Sequence, residues 1–271
     1  MTNKIVIIIP IYKTDLTHNE EIAIQQCFKV LSKYKIVFIC PAKLVGDVFF
    51  TKYPLAGVVD FEDIHFSTYA KYNELMLTLK FYLKFQLYDY MLIYQTDCFV
   101  FRDELDEWIS KNYSYIGAPW VYNPKDENLV FTGVGNGGFS LRKISDMILV
   151  LKSYKNFYNL KQSILVDYRR RNSMIKAIIP GTFKWLFWYK FVFARRLNIM
   201  SEDFLYYNAS GKFAFFNVPP VDIALKFSFE RAPERLFEMN NQTLPFACHA
   251  WEKYAKDFYV PFIESFGYKV M

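Results

Sequence analysis

The chain is 271 residues long, enough for one large α/β domain or two small ones, and enough to bury a substantial core. Hydrophobic residues make up 53% and aromatic residues 20% against 22% charged, with no run of Ser, Gly, Gln or Pro, which excludes a tail, a linker or a low-complexity polymer. The formal charge of +6 suits an anionic ligand or membrane surface and is equally ordinary for a soluble enzyme.

Ile5 to Ile9 is an all-apolar, β-branched run stopped by Pro10, which predicts a strand buried on both faces. It is far shorter than the roughly 20 residues that span a bilayer. It also lacks a signal-peptide layout, so a protein made and kept in the cytoplasm is expected. Ile24, Cys27, Phe28 and Leu31 fall at helical spacing, and Ile36 to Cys40, ended by Pro41, reads as a second buried strand; together these form a β-α-β unit. Val58 and Val59 read as a third strand. Tyr72, Leu75, Met76, Leu79 and Leu83 predict one face of a long helix beginning near Ser67 or Thr68, and Met91 to Tyr94 is a fourth strand. Strands alternating with helices imply a mostly parallel, doubly wound sheet whose first half is complete near residue 100.

The second half is less regular. It holds, in order, a short helix from about Asp103, an apolar bend from Ile116 to Trp120, a glycine cluster from Gly133 to Gly138, a strand Phe139 to Leu141 and a helix from about Ser145. With no internal repeat and no polar linker, one domain over residues 1–271 is the simplest organisation. Cys27, Cys40, Cys98 and Cys248 have no metal-like or disulfide-framework spacing and are expected as small buried apolar residues.

Ligands of open α/β sheets bind at the carboxyl ends of the strands. The Met91–Tyr94 strand runs into Gln95-Thr96-Asp97, so Asp97 is either a ligand-binding carboxylate or a turn aspartate capping the next helix. Gly133 to Gly138 passes into a strand and lacks the Lys and hydroxyl of a phosphate loop; it is either a bare hairpin or a place where backbone approaches a ligand closely. Ser201-Glu202-Asp203 reads equally as an acid pair of a site or as a helix N-cap with acids in its first turn. His249, flanked by Cys248 and Ala250, is a core histidine or a ligand, whereas His18 and His65 lie in polar surroundings and look superficial.

Six motifs in order sharpen these alternatives: Tyr72-Asn73-Glu74-Leu75, Tyr94-Gln95-Thr96-Asp97, Tyr115 to Trp120, Gly135 to Arg142, Glu202-Asp203 and His249-Ala250-Trp251. Their order resembles a GT-A glycosyltransferase, and more closely a bacterial and fungal family of glycosyltransferase-like proteins catalogued only as a domain of unknown function. The resemblance implies a GT-A-like, mixed and mostly parallel α/β sheet flanked by helices, with residues 1–100 as the nucleotide-binding half and 101–271 as the donor-sugar and acceptor half. It implies transfer of a sugar from a nucleotide-sugar donor, a UDP-sugar first, to a glycan or lipid-linked acceptor in surface polysaccharide synthesis, with inversion. In that family pattern Asp97 is the last acid of an Asp-x-Asp motif and His249 the C-terminal ligand of a divalent metal, Mn²⁺ or Mg²⁺; Gln95 stands in place of the first acid. Asp203 is implied as the base, Glu202 as the residue that binds the acceptor or orients that base, Gly137 and Gly138 as the turn shaping the donor-sugar pocket, and Trp120 as a wall for a sugar face. Tyr12, just after the first strand, is the positional candidate for stacking on the base of the nucleotide.

The alternatives are a sugar-phosphate nucleotidyltransferase, disfavoured because Ile9 to Thr14 contains no glycine, and a non-catalytic binding or scaffold protein, for which Gln95 is the argument. No nucleic-acid partner is expected. Residues 174–197 interleave Lys176, Lys184, Lys190, Arg195 and Arg196 with Trp185, Phe187, Trp188, Phe191 and Phe193. Too charged to cross a bilayer, the segment suits either an interfacial helix on anionic lipid at the inner face of the cell membrane or a core-packed helix with a basic edge.

Overall fold

A computed structural model describes residues 4–126, 128–157 and 201–271. The basic aromatic segment 174–197 therefore lies outside the described residues. β1 (Ile5–Pro10), β2 (Lys35–Pro41), β3 (Gly57–Phe61), β4 (Tyr90–Tyr94), β6 (Tyr115–Ile116) and β9 (Phe139–Lys143) form a six-stranded sheet in the order β3-β2-β1-β4-β9-β6. β1, β2, β3 and β4 are parallel, while β9 runs antiparallel to both β4 and β6, so the sheet is mixed and mostly parallel. This is the α/β class expected from the four strand-like runs, although β3 is half-exposed, with Val58 open to solvent.

Strand alternation sorts the core into two layers. Ile5, Ile7, Ile9, Phe38 and Leu92 face α1 (His18–Val30), through Ala23, Ile24 and Cys27. Val6, Ile8, Val37, Ile39, Met91 and Ile93 face the opposite layer. That layer is built by α2 (Tyr69–Met76), α3 (Leu79–Lys84), α5 (Ile144–Phe157) and α6 (Glu202–Ser210). All four cysteines are buried and free. α1 starts on a capping box, Thr17 accepting from the Glu20 amide and Glu20 accepting from the Thr17 amide.

The long helix expected from Ser67 to Leu83 is two short ones. Thr78 breaks it: its hydroxyl donates to the Leu75 carbonyl at 2.8 Å, closing α2, and accepts from the Phe81 amide at 3.1 Å, opening α3. The apolar period runs on across the break, which is why the pattern reads as continuous. Thr68 caps α2, as expected.

A smaller sheet of β10 (Ser228–Phe229), β11 (Ala247–His249) and β5 (Cys98–Val100) crowns the main one, and β7 (Pro119–Val121) pairs with β8 (Phe131–Val134). The remaining described helices are α4 (Leu105–Ser110), α7 (Val221–Phe227), α8 (Pro233–Met239) and α9 (Trp251–Ser265). Among the described residues, no helix is long and apolar enough to cross a membrane.

Because one hydroxyl serves both helix ends, Thr78→Ala should cost about 1 kcal/mol of stability in urea denaturation, with Thr78→Ser recovering most of it. Equal losses in the two variants would argue against the cap.

Candidate active site

A cavity of 450 Å³ opens where β1 and β4 end, lined by Pro10, Tyr12, Tyr69, Tyr72, Gln95 and Asp97. Tyr12 stands at its rim, 56% exposed, with the Lys13 ammonium 6.0 Å from its ring centre. Gln95 is tied to the sheet by its backbone N–H, which donates to the Gly138 carbonyl at 2.9 Å.

Asp97 and His249 meet at this edge although they come from distant parts of the chain. β5 pairs antiparallel with β11, setting His249 opposite Cys98, the neighbour of Asp97. His249 Nε2 faces Asp97 Oδ1 at 3.3 Å, and both atoms are buried without another hydrogen-bond partner. Across the ring, Nδ1 lies 3.3 Å from Glu230 Oε1 and 3.0 Å from Asn136 Nδ2. Asn136 is fixed in that orientation because its Oδ1 accepts from the Gly138 and Phe139 amides at 2.7 and 2.9 Å. Burial alone would lower the His249 pKa; the Asp97 carboxylate, followed by Glu230, more than offsets it and carries it to about 10. Burial pushes the other way on Asp97, but the imidazolium beside it holds its carboxyl below the usual range.

An Asp97 oxygen, the Cys98 sulfur and a His249 nitrogen lie within 4.8 Å of one another. Cys98 fits poorly as a ligand to a hard ion: burial raises its thiol well above the ordinary value, and Sγ donates to the Gly138 carbonyl at 3.3 Å. The orphaned carboxylate oxygen and imidazole nitrogen do fit a divalent cation completed by ligand oxygens and water.

Gly138 is a matter of space. A Cβ there would stand 2.0 Å from His249 Nε2 and 2.7 Å from Gln95 Oε1. At Gly137 a Cβ would meet Glu202 Oε1 at 2.8 Å. The glycine pair therefore admits two acid–base side chains up to the backbone, a role beyond the expected shaping of a sugar pocket.

Glu202 and Asp203 begin α6 and do different things. Glu202 is wholly buried and paired at 2.9 Å with Arg142, itself wholly buried. The guanidinium also donates to Ser140 Oγ and the Tyr82 hydroxyl, each at 3.0 Å, and sits over the Tyr115 and Tyr206 rings at 5.7 and 5.6 Å. An enclosed carboxylate cannot hold an acceptor, so that expected role of Glu202 is corrected; orienting its neighbour remains. Ser201 occupies the N-cap position of α6 without a capping side-chain bond, and Asp203 Oδ1 instead accepts from the Phe204 amide at 2.8 Å. Burial first, and the Glu202 charge second, raise the Asp203 pKa to about 6.

Asp203 lines a second cavity of 280 Å³ with Trp120, Phe204, Glu230 and Arg231. Trp120 lies parallel to Phe204, ring centroids 6.0 Å apart, and its indole N–H donates to the Gly135 carbonyl at 2.8 Å. It thus faces the cavity of Asp203, apart from the cavity of Tyr12 and Asp97 with which it was expected to share the donor. Sequence reasoning missed Glu230 and the roles of Asn136 and Arg142. The signals existed: Glu230 is a carboxylate just past strand β10, and Arg142 is a cation inside an apolar strand, which demands a buried partner.

Fold and site together define an α/β protein with an acid–histidine pair and a separate carboxylate at the carboxyl edge of a mostly parallel sheet. Residues 56–249 match the model of a family described as protein of unknown function (DUF5672), and the chain belongs to that family. No curated protein matches the sequence. Among solved structures, it is similar to the apo-form glycosyltransferase GlyE of Streptococcus pneumoniae TIGR4 at 10% identity and TM-score 0.42, covering 91% of this chain and 54% of that one. The chain thus spans about half the length of GlyE. A glycosyltransferase involved in glycosylation of the major capsid of PBCV-1 is similar at 11% identity and TM-score 0.42, over 96% of this chain and 99% of that one. The mannosyltransferase PcManGT of Pyrobaculum calidifontis, in complex with GDP-Man and Mn²⁺, is similar at 14% identity and TM-score 0.35, over 53% and 45%.

Arg142→Met leaves Glu202 charged and unpaired in the interior, so it should cost about 3–5 kcal/mol in urea denaturation, while the double variant with Glu202→Leu should recover much of that. A single-variant cost below about 1 kcal/mol would mean that Glu202 is neutral or solvated.

Proposed function

We propose that the protein is a GT-A-like glycosyltransferase that moves a sugar from a nucleotide-sugar donor, a UDP-sugar first, to a hydroxyl of a glycan or lipid-linked glycan, with inversion. The observation that carries this reading is the meeting of Asp97, which lines the first cavity, with His249, whose other ring nitrogen faces Glu230, a residue that lines the second cavity with Asp203. Asp97 and His249 would hold Mn²⁺ or Mg²⁺, which when bound neutralises charge growing on the leaving diphosphate. Tyr12 covers the nucleotide base at the rim of the first cavity. Asp203 takes the proton of the acceptor hydroxyl as its oxygen bonds to the anomeric carbon and the bond to the diphosphate breaks. Trp120 then offers its face to the acceptor rather than to the donor. Glu202, anchored by Arg142, holds the helix end that carries Asp203. The chain works as one domain, residues 1–100 contributing most to the nucleotide and residues 101–271 to donor sugar and acceptor.

Donor hydrolysis or transfer by the purified protein, with Mn²⁺ and with chelator, is the test. Gln95 is the feature that favours a binding protein without catalysis, and donor binding without turnover would select that reading. Asp203→Asn should lower turnover roughly a hundredfold or more with donor binding little changed. A base with a pKa of about 6 works only when deprotonated, so turnover should rise through pH 6 and level off above it, and the Asn variant should lose that limb. Near-normal turnover in Asp203→Asn would remove it as the base.

A lipid-linked acceptor accords with cytoplasmic protein held peripherally at the inner membrane face by residues 174–197, whose cations suit anionic headgroups. The protein should sediment with anionic vesicles at low salt and be released by high salt; indifference to vesicles at low salt would rule the attachment out.

A further inference from the structure

We infer that Glu230 is a positioning residue that turns the His249 ring so that Nε2, which faces Asp97, is the nitrogen left bare of a proton when the two share an ion. The inference rests on the metal reading of the Asp97–His249 pair. It starts from a conflict at Nδ1. Glu230 Oε1 lies 3.3 Å from that nitrogen and Asn136 Nδ2 lies 3.0 Å from it. A carboxylate only accepts, and an amide NH₂ only donates. Asn136 cannot turn its oxygen to the ring, because that oxygen already accepts from the Gly138 and Phe139 amides.

The two neighbours therefore favour opposite forms of a neutral ring. When Asn136 is served, Nδ1 accepts, the proton sits on Nε2, and that nitrogen cannot bind a cation. When Glu230 is served, Nδ1–H donates to the carboxylate and Nε2, 3.3 Å from Asp97 Oδ1, is the nitrogen whose lone pair is left for an ion shared with that oxygen. A histidine that shares an ion generally donates its other N–H to a carboxylate or carbonyl, which fixes ring and tautomer together. Glu230 is well placed for that duty. It stands just past β10, which pairs with β11, the strand carrying His249, so carboxylate and ring are registered by one sheet. Its side chain remains 22% exposed and lines the Asp203 cavity.

The test is the affinity of the full chain for Mn²⁺, by calorimetry and by electron paramagnetic resonance of the free ion, in the wild type, Glu230→Gln and Glu230→Ala. Glu230→Ala leaves the Asn136 donor facing Nδ1 and should weaken Mn²⁺ binding ten- to a hundredfold. Glu230→Gln keeps an acceptor oxygen of the same reach and should fall between it and the wild type. Thermal melting of the ion-free variants accompanies the binding, since a role in folding alone would lower melting and leave the affinity of the folded protein unchanged; that outcome overturns the inference. Equal losses in Gln and Ala also overturn it, because they would assign Glu230 a charge effect with no orienting role. If the wild type takes up no Mn²⁺, the metal reading itself fails, and the ring decides separately. A hydrogen-bonded Nδ1–H resonance of His249 that disappears in Glu230→Ala supports the positioning role, and one that persists unchanged overturns it.

Discussion

The buried pair of Arg142 and Glu202 is the constraint on which the site's geometry hangs. Both side chains are fully enclosed, so neither charge has water to fall back on, and each is tolerable only while the other is present. Arg142 belongs to the sheet and Glu202 to the first turn of α6, so the pair fixes a helix end to a strand. Tyr82, Tyr115 and Tyr206 close around the guanidinium, and the Tyr206 hydroxyl reaches on to the Met76 carbonyl at 2.8 Å, joining α2 to the same knot. A burial this costly is a poor way to gain stability, but it fixes register: α6 cannot slide or rotate without stranding a charge. Asp203, the next residue, is delivered by that fixation.

The second device is the reversal of β9. In an all-parallel sheet the loop before a strand lies at the opposite end from the ligand cleft. Since β9 runs against β4, pairing Phe139 with Tyr94, the glycine loop that precedes β9 arrives beside the residues that leave β4. One edge of the sheet thus collects Gln95 and Asp97 going out and Asn136 to Gly138 coming in. The small crowning sheet adds His249 and Glu230 from the C-terminal third. Gln95, Asp97, Asn136, His249 and Glu230 are therefore all held at or beside strand ends, and their mutual geometry is set by backbone pairing.

The strands were legible because burial on both faces leaves an unbroken apolar run that few other structures need. The break at Thr78 was not, since Leu75, Leu79 and Leu83 keep helical spacing through it and the interruption comes from a single hydroxyl serving two ends. Asp97 was legible as a strand-end acid, but its meeting with His249 was suggested only by family resemblance, because antiparallel pairing of β5 with β11 is a long-range event that no local spacing encodes. The double role of Gly137 and Gly138 was hidden for the same reason: what a Cβ would strike at each is a side chain from elsewhere in the chain. Glu202-Asp203 looked like one acid pair, and only burial separates a structural carboxylate from an available one.

Gln95 becomes intelligible from the same electrostatics. His249 is flanked by Asp97 and Glu230, and the backbone at Gly138 brings Gln95 Oε1 close to the same ring. A third carboxylate at that point would meet two others, and without a cation its ionised form would be repelled by both. A neutral amide keeps an oxygen at that position and avoids the repulsion. Were a divalent ion held there as proposed, it would meet one carboxylate fewer than an Asp-x-Asp motif offers, and more of the attraction would have to come from the diphosphate of the donor.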